Sequence, residues 1–258
     1  DCDSLFVESH LQTLLLDGNP SLGDSGVRAM SSGLARSHFL QTLSLEGCGI
    51  GHEGSRLLGE SLSCNRTLRI LCLRGNMLED VGARFLGVAL EKSMSIELLD
   101  VSDNHITCRG AWSLTDSLRL NQTLQELRLE DNFVRDDGFF QFCRSSQMNQ
   151  SLQVICLAGN YISEKGLLAG VAEIPEHRPL RCRVLGLSRQ RPHCLTGGGV
   201  ISTEGLGAMA TRCASVVGVS SRQRNPHTLT RSSGRVVGTQ FPTKPIGPCG
   251  SSTSIHKE

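Results

Sequence analysis

The sequence predicts an α/β solenoid, a right-handed arc with short parallel strands on its concave face and helices on its convex face. Three observations predict it. A nine-residue segment recurs as LQTLLLDGN from Leu11, LQTLSLEGC from Leu40, LRILCLRGN from Leu68, IELLDVSDN from Ile96, LQELRLEDN from Leu124 and LQVICLAGN from Leu152, with starts 29, 28, 28, 28 and 28 residues apart. A glycine follows each segment at a near-constant step: Gly26, Gly54, Gly82, Gly110, Gly138 and Gly166. Apolar residues then recur at helical spacing.

Each segment alternates. In the third, Leu68, Leu71 and Leu73 are expected inside, with Ile70, Cys72 and Arg74 facing out, the period of a short strand. Asn19, Asn76, Asn104, Asn132 and Asn160 close the pattern, where an inward amide can bond the backbone groups freed as the chain leaves the strand; Cys48 takes that place in the second copy. After each glycine a helix is expected, from the triplets Val27/Met30/Leu34, Ser55/Leu58/Leu62, Ala83/Leu86/Leu90 and Ala111/Leu114/Leu118. Phe139/Phe142/Ser146 and Leu167/Gly170/Ile174 are weaker versions. One strand and one helix cannot bury their apolar faces alone, so the units must stack into one core.

A seventh unit begins near Cys182, with Leu185 and Leu187 expected inside and Gln190 in the asparagine place. Its helix half, from Ile201, is displaced by an insert near residues 191–199 that is rich in turn residues. The triple glycine there is followed by no Gly-Lys-Ser/Thr and is read as a turn rather than a phosphate loop. The repeat domain is thus expected over residues 1–218. Residues 219–258 form a basic tail rich in Gly, Ser and Arg, expected to be disordered, in which Arg222, Arg224, Arg231, Arg235, Lys244 and Lys257 face only Glu258. With 26 basic and 25 acidic residues overall, the body is therefore mildly acidic. The chain reads as a piece of a larger array, since no capping segment is recognisable before the first strand.

No stretch is long and apolar enough for a membrane span, and residues 1–10 lack the layout of a signal peptide. Eleven cysteines, odd in number and placed by the repeat, are read as reduced thiols without disulfides. The histidines His10, His38, His52, His105, His177, His193, His227 and His256 are dispersed, and neither H-x-x-x-H nor C-x-x-C spacing occurs, so no metal site and no cofactor are expected. The sequons at Asn65, Asn121 and Asn149 fall in the same linker of successive units and are explained by the repeat. Trp112 is assigned to packing between helices, in preference to a partly exposed anchor.

The 28-residue unit, the N-x-x-x-x-x-G step and linkers such as Asn65-Arg-Thr-Leu68 and Asn121-Gln-Thr-Leu124 resemble the ribonuclease-inhibitor-like subfamily of leucine-rich repeats, over about residues 9–215. The resemblance extends to the repeat domains of NOD-like receptors, the GTPase-activating protein for Ran and ciliary scaffold proteins. It implies a non-catalytic cytoplasmic scaffold, with the cytoskeleton or the cilium as candidate settings, that binds another protein on the concave strand face. The outward strand residues are then the candidates for partner contact: Asp17, Glu46, Arg74, Asp100, Ser102, Arg128 and Glu130, with Glu126 beside them. Acids outnumber bases among them, which points to a partner with basic patches rather than to nucleic acid. Two alternatives stay open. One is activation of a Ran-type GTPase, with Arg74 as the arginine to test, although the chain lacks that protein's marker motif and its acidic segment. The other is the sensor domain of a NOD-like receptor, which needs a nucleotide-binding domain upstream.

Overall fold

The computed structural model describes residues 6, 10–173, 183–186 and 191. All of them belong to the first of two units of the chain, residues 1–220 and 221–258. The expected tail, most of the insert, the helix half of the seventh unit and the boundary near 218 lie outside the described residues.

Seven strands form one sheet in sequence order: β1 (Thr13–Leu15), β2 (Thr42–Ser44), β3 (Ile70–Cys72), β4 (Leu98–Asp100), β5 (Glu126–Arg128), β6 (Val154–Cys156) and β7 (Arg183–Leu185). Every neighbouring pair is parallel, and the register aligns Leu14, Leu43, Leu71, Leu99, Leu127, Ile155 and Val184 in a single column. Between the strands run six helices: α1 (Gly23–Arg36), α2 (His52–Cys64), α3 (Glu79–Lys92), α4 (Cys108–Ser117), α5 (Asp136–Ser146) and α6 (Glu164–Ala172). Each described helix packs on its sequence neighbours alone, as expected of a linear stack. The inward strand residues and the helix triplets meet in one continuous core containing Leu71, Leu73, Leu86, Leu90, Leu99 and Leu114.

The seventh strand corrects the sequence reading by one residue. Val184, not Leu185, stands in the buried column, and Leu185 pairs with Cys156. A slip of one residue in a strand exchanges its two faces, and the β-branched Val184 takes the interior place. Leu187 and Gln190 lie outside the described residues.

The helices also begin earlier than expected. Gly54, Gly82, Gly110, Gly138 and Gly166 sit inside the first helical turn rather than before it. Their role is close approach: a Cβ on Gly110 would lie 2.7 Å from Asp80 Oδ1 and 2.8 Å from Ile106 Cγ2, and one on Gly82 would lie 2.7 Å from Ser55 Oγ. Glycine costs a helix about 1 kcal/mol relative to alanine, and here it lets one helix start lie against the previous one. Carboxylates of one unit also satisfy helix-start donors of the next. Asp24 accepts from Gly51 N at 2.8 Å, Asp80 from Thr107 N at 2.8 Å and Gly110 N at 3.0 Å, and Asp136 from Ser163 N at 2.6 Å.

Candidate functional site

Two ladders of buried asparagine hold the strand face rigid. At the strand exits, Asn132 donates to Val101 O at 3.0 Å and Glu130 O at 3.1 Å, while its carbonyl accepts from Asn104 N at 3.0 Å and Ile106 N at 2.9 Å. Asn76 does the same for Cys48 N and Ile50 N. Cys48, in the asparagine place, reaches Leu16 O with its thiol at 3.0 Å. At the return to the strand, Asn65, Asn121 and Asn149 form a second ladder: Asn121 donates to Leu90 O at 2.8 Å and Ser93 O at 3.2 Å and accepts from Leu124 N at 2.8 Å. These three amides are buried and committed to backbone groups.

On this support the strand face carries the candidate residues as three groups. Asp17 is exposed and accepts from Ser44 Oγ at 2.6 Å and Glu46 N at 2.8 Å. Burial, then the carboxylates of Asp17 and Asp100, push the Glu46 carboxyl above the usual glutamate range, a sign that negative charge accumulates there. In the second group Arg128 bonds Glu126 at 2.6 Å and lies 3.7 Å from Asp100. Burial works against the Arg128 charge, but the hydrogen bond and fields of Glu126 and Asp100 outweigh it and hold the guanidinium charged. In the third, Arg74 reaches across two units to Asp131 at 3.1 Å and to Glu130 at 4.0 Å.

Two of the candidates are not available to a partner. Asp100 is 4% exposed and Ser102 is 0% exposed. Their place on the alternating strand pattern points outward, but Asp100 accepts from Ser102 N at 2.9 Å and Ser102 Oγ accepts from Glu130 N at 3.2 Å. Short side chains between larger neighbours are covered by them. Cys72 and Cys156, which share the outward strand place, are also shielded: burial, followed by nearby carboxylates, pushes both thiols up to about 11. They are poor nucleophiles at neutral pH. Among the described residues Cys48, Cys64, Cys72, Cys108 and Cys156 are free thiols.

Asp103 and Asp131 were missed in the sequence. Both have left-handed backbone, φ 53° and 55°, at the place where Gly18, Gly47, Gly75 and Gly159 stand in other units. Asp131 joins two arginines, Arg74 at 3.1 Å and Arg191 at 3.4 Å. Beside these aspartates, at the rim where strands turn into helices, runs a second unpredicted feature. His105 stacks on Phe133 (centroids 5.7 Å apart) and Phe133 on Tyr161 (5.9 Å), and the Arg191 guanidinium lies 5.8 Å from the Tyr161 ring centre. The signal was available, since His105, Phe133 and Tyr161 are 28 residues apart.

The helix face also departs from expectation. Trp112 is 51% exposed rather than packed, in line with Phe140 and Leu168 on the next two helices. The same place in the first three helices holds Arg28, Arg56 and Arg84. Arg28 and Arg56 both bond Glu53, whose carboxyl is lowered to about 2 chiefly by the hydrogen bond from Arg56. Among the described residues no group of His, Cys, Asp and Glu side chains could hold a metal ion, and no helix is long and apolar enough to cross a membrane.

Comparison with known proteins agrees with this architecture. The family described as "Leucine Rich repeat" matches residues 8–31, 36–58 and 64–87. Among solved structures, the tropomodulin C-terminal domain of Caenorhabditis elegans aligns with a TM-score of 0.50 and 15% identity, over 57% of this chain and 90% of its own. The actin-binding site 2 domain of leiomodin-1 aligns with a TM-score of 0.49 and 19% identity, over 58% of this chain and 84% of its own. No curated protein matches in sequence. The repeated strand, asparagine turn and helix, stacked in one parallel sheet and matched in three successive units, make this chain a leucine-rich-repeat protein.

Proposed function

We propose that the chain is a non-catalytic, cytoplasmic binding scaffold that holds another protein against its strand face. The supporting observation is the surplus of carboxylate there. Arg74 and Arg128 are both engaged by acids of the same face, whereas Asp17 and Glu46 have no basic side chain ion-paired to them among the described residues. A partner surface carrying lysine or arginine complements such a face, and the attraction should be steered by charge and weakened by salt. The contact set is Asp17, Glu46, Arg74, Glu126, Arg128 and Glu130, with Asp100 and Ser102 shaping the surface from beneath.

The test is capture from a cytosolic lysate by the full chain, run beside the double substitution Glu126→Lys, Glu130→Lys. Proteins held by the strand face should be lost from the variant and should elute with moderate salt. An unchanged captured set would overturn the reading. Acceleration of hydrolysis by a purified Ran-type GTPase, abolished by Arg74→Ala, would overturn its non-catalytic part.

A further inference from the structure

We propose that the rim of the strand face around Asp103, His105 and Phe133 binds an arginine-bearing segment of the partner protein. The proposal rests on the scaffold reading and names the chemistry that one margin of the site would recognise.

The chain itself shows what this rim accepts. Arg191 sets its guanidinium over the Tyr161 ring and bonds Asp131, the aspartate one unit back. The same pair of residues, an aromatic ring and a left-handed aspartate one unit before it, recurs as Phe133 and Asp103. There the carboxylate is exposed, and no basic side chain among the described residues is ion-paired with it. Asp103 holds φ 53° where four other units place glycine, a conformation that aspartate tolerates better than most side chains and that glycine adopts without strain. Nothing in the fold of the turn asks for a carboxylate, as the glycines at Gly47 and Gly75 demonstrate.

The neighbouring surface completes the match. Phe133 is 36% exposed and stands between His105 and Tyr161 in the stack, and Met77, one unit before His105 in the same line, is 54% exposed. An arginine offers both halves of this surface a partner: an aliphatic stem for the ring edges and Met77, and a planar charged head for Asp103.

The experiment uses the full chain and a fluorescent peptide of alternating arginine and glycine, with matched peptides carrying lysine or citrulline. Affinity should fall from arginine to lysine to citrulline, the uncharged isostere. Asp103→Gly should weaken the arginine peptide about tenfold, the typical worth of a charge-assisted hydrogen bond, while leaving the thermal midpoint equal or higher. His105→Ala should weaken it severalfold. Equal binding of the citrulline peptide, equal binding of arginine and lysine peptides, no binding at all, or an unchanged affinity in Asp103→Gly would each overturn the proposal. If Asp103→Gly is silent but Glu126→Lys, Glu130→Lys abolishes arginine-peptide binding, the rim proposal fails and the strand-face reading stands. If both variants leave binding intact, both fail.

Discussion

At the strand exits Asn76, Asn104, Asn132 and Asn160 repeat one side chain in one set of buried contacts. Two residues earlier in the same units stand Arg74, Ser102, Glu130 and Ala158, four different chemistries on the strand face. The two rows share a period and a backbone, and they differ in what surrounds them. The exit row must satisfy donors and acceptors that water cannot reach, so a primary amide, with two donors and a two-lone-pair carbonyl, is hard to replace. At Arg74, Glu130 and Ala158 the face row borders solvent, so its residues can vary with whatever the face meets; Ser102, fully buried, is the exception.

The strongest way to break the comparison is to remove an exit amide. Asn132→Ala deletes four bonds at buried backbone groups and should cost roughly 3 kcal/mol in urea-induced unfolding. A loss below 1 kcal/mol would mean that water enters the turn and that the two rows differ less than their burial suggests. Next comes thiol chemistry two residues before the face row, at the preceding outward strand place. With Cys72 and Cys156 at about 11, against the ordinary thiol value of 9.0, their thiolate population near neutral pH is lower by roughly a hundredfold. Alkylation followed by mass spectrometry should modify the exposed Cys64 before Cys72 and Cys156, whose rates should climb with pH toward 11 rather than level off near 9. Gly110→Ala, which drives a methyl against Asp80, Ile106 and Ala83, should cost about 2 kcal/mol. The smallest effect belongs to Asn19→Ala. Asn19 occupies the exit place but is exposed, and its side chain donates to Leu16 O and Asp17 O with no bond to a neighbouring unit among the described residues, so its loss should stay within about 0.5 kcal/mol. Together with Asn132 it separates the residue type from its burial.

The period made the architecture legible, because the spacing of Leu43, Leu71, Leu99 and Leu127 sets both the strand column and its register. It did less well where a place in the repeat is decided by neighbours. Alternation puts Ser102 outside, yet it is sealed by contacts two and twenty-eight residues away. Glycine was read as punctuation before a helix, while the close approach that requires it is made by the preceding unit. The rim of His105, Phe133 and Tyr161 was periodic all along, but it lies in turns, where polar or aromatic residues carry no hydrophobic pattern to draw attention. Val184 shows the limit of counting, since the sixth step, Ile155 to Val184, is 29 residues where the four before it are 28.

The asparagine ladder also has a direction. Asn132 satisfies Asn104 N and Ile106 N of the unit before it, and Asn160 serves Val134 N in the same backward sense. Detaching a unit from the C-terminal side strips bonds from the turn of the one that remains, whereas detachment from the N-terminal side leaves the next turn's own donors served by the unit that follows. Under a pulling force the array should therefore behave as a ratchet, peeling more readily once opened from its C-terminal side, with each released unit loosening the next.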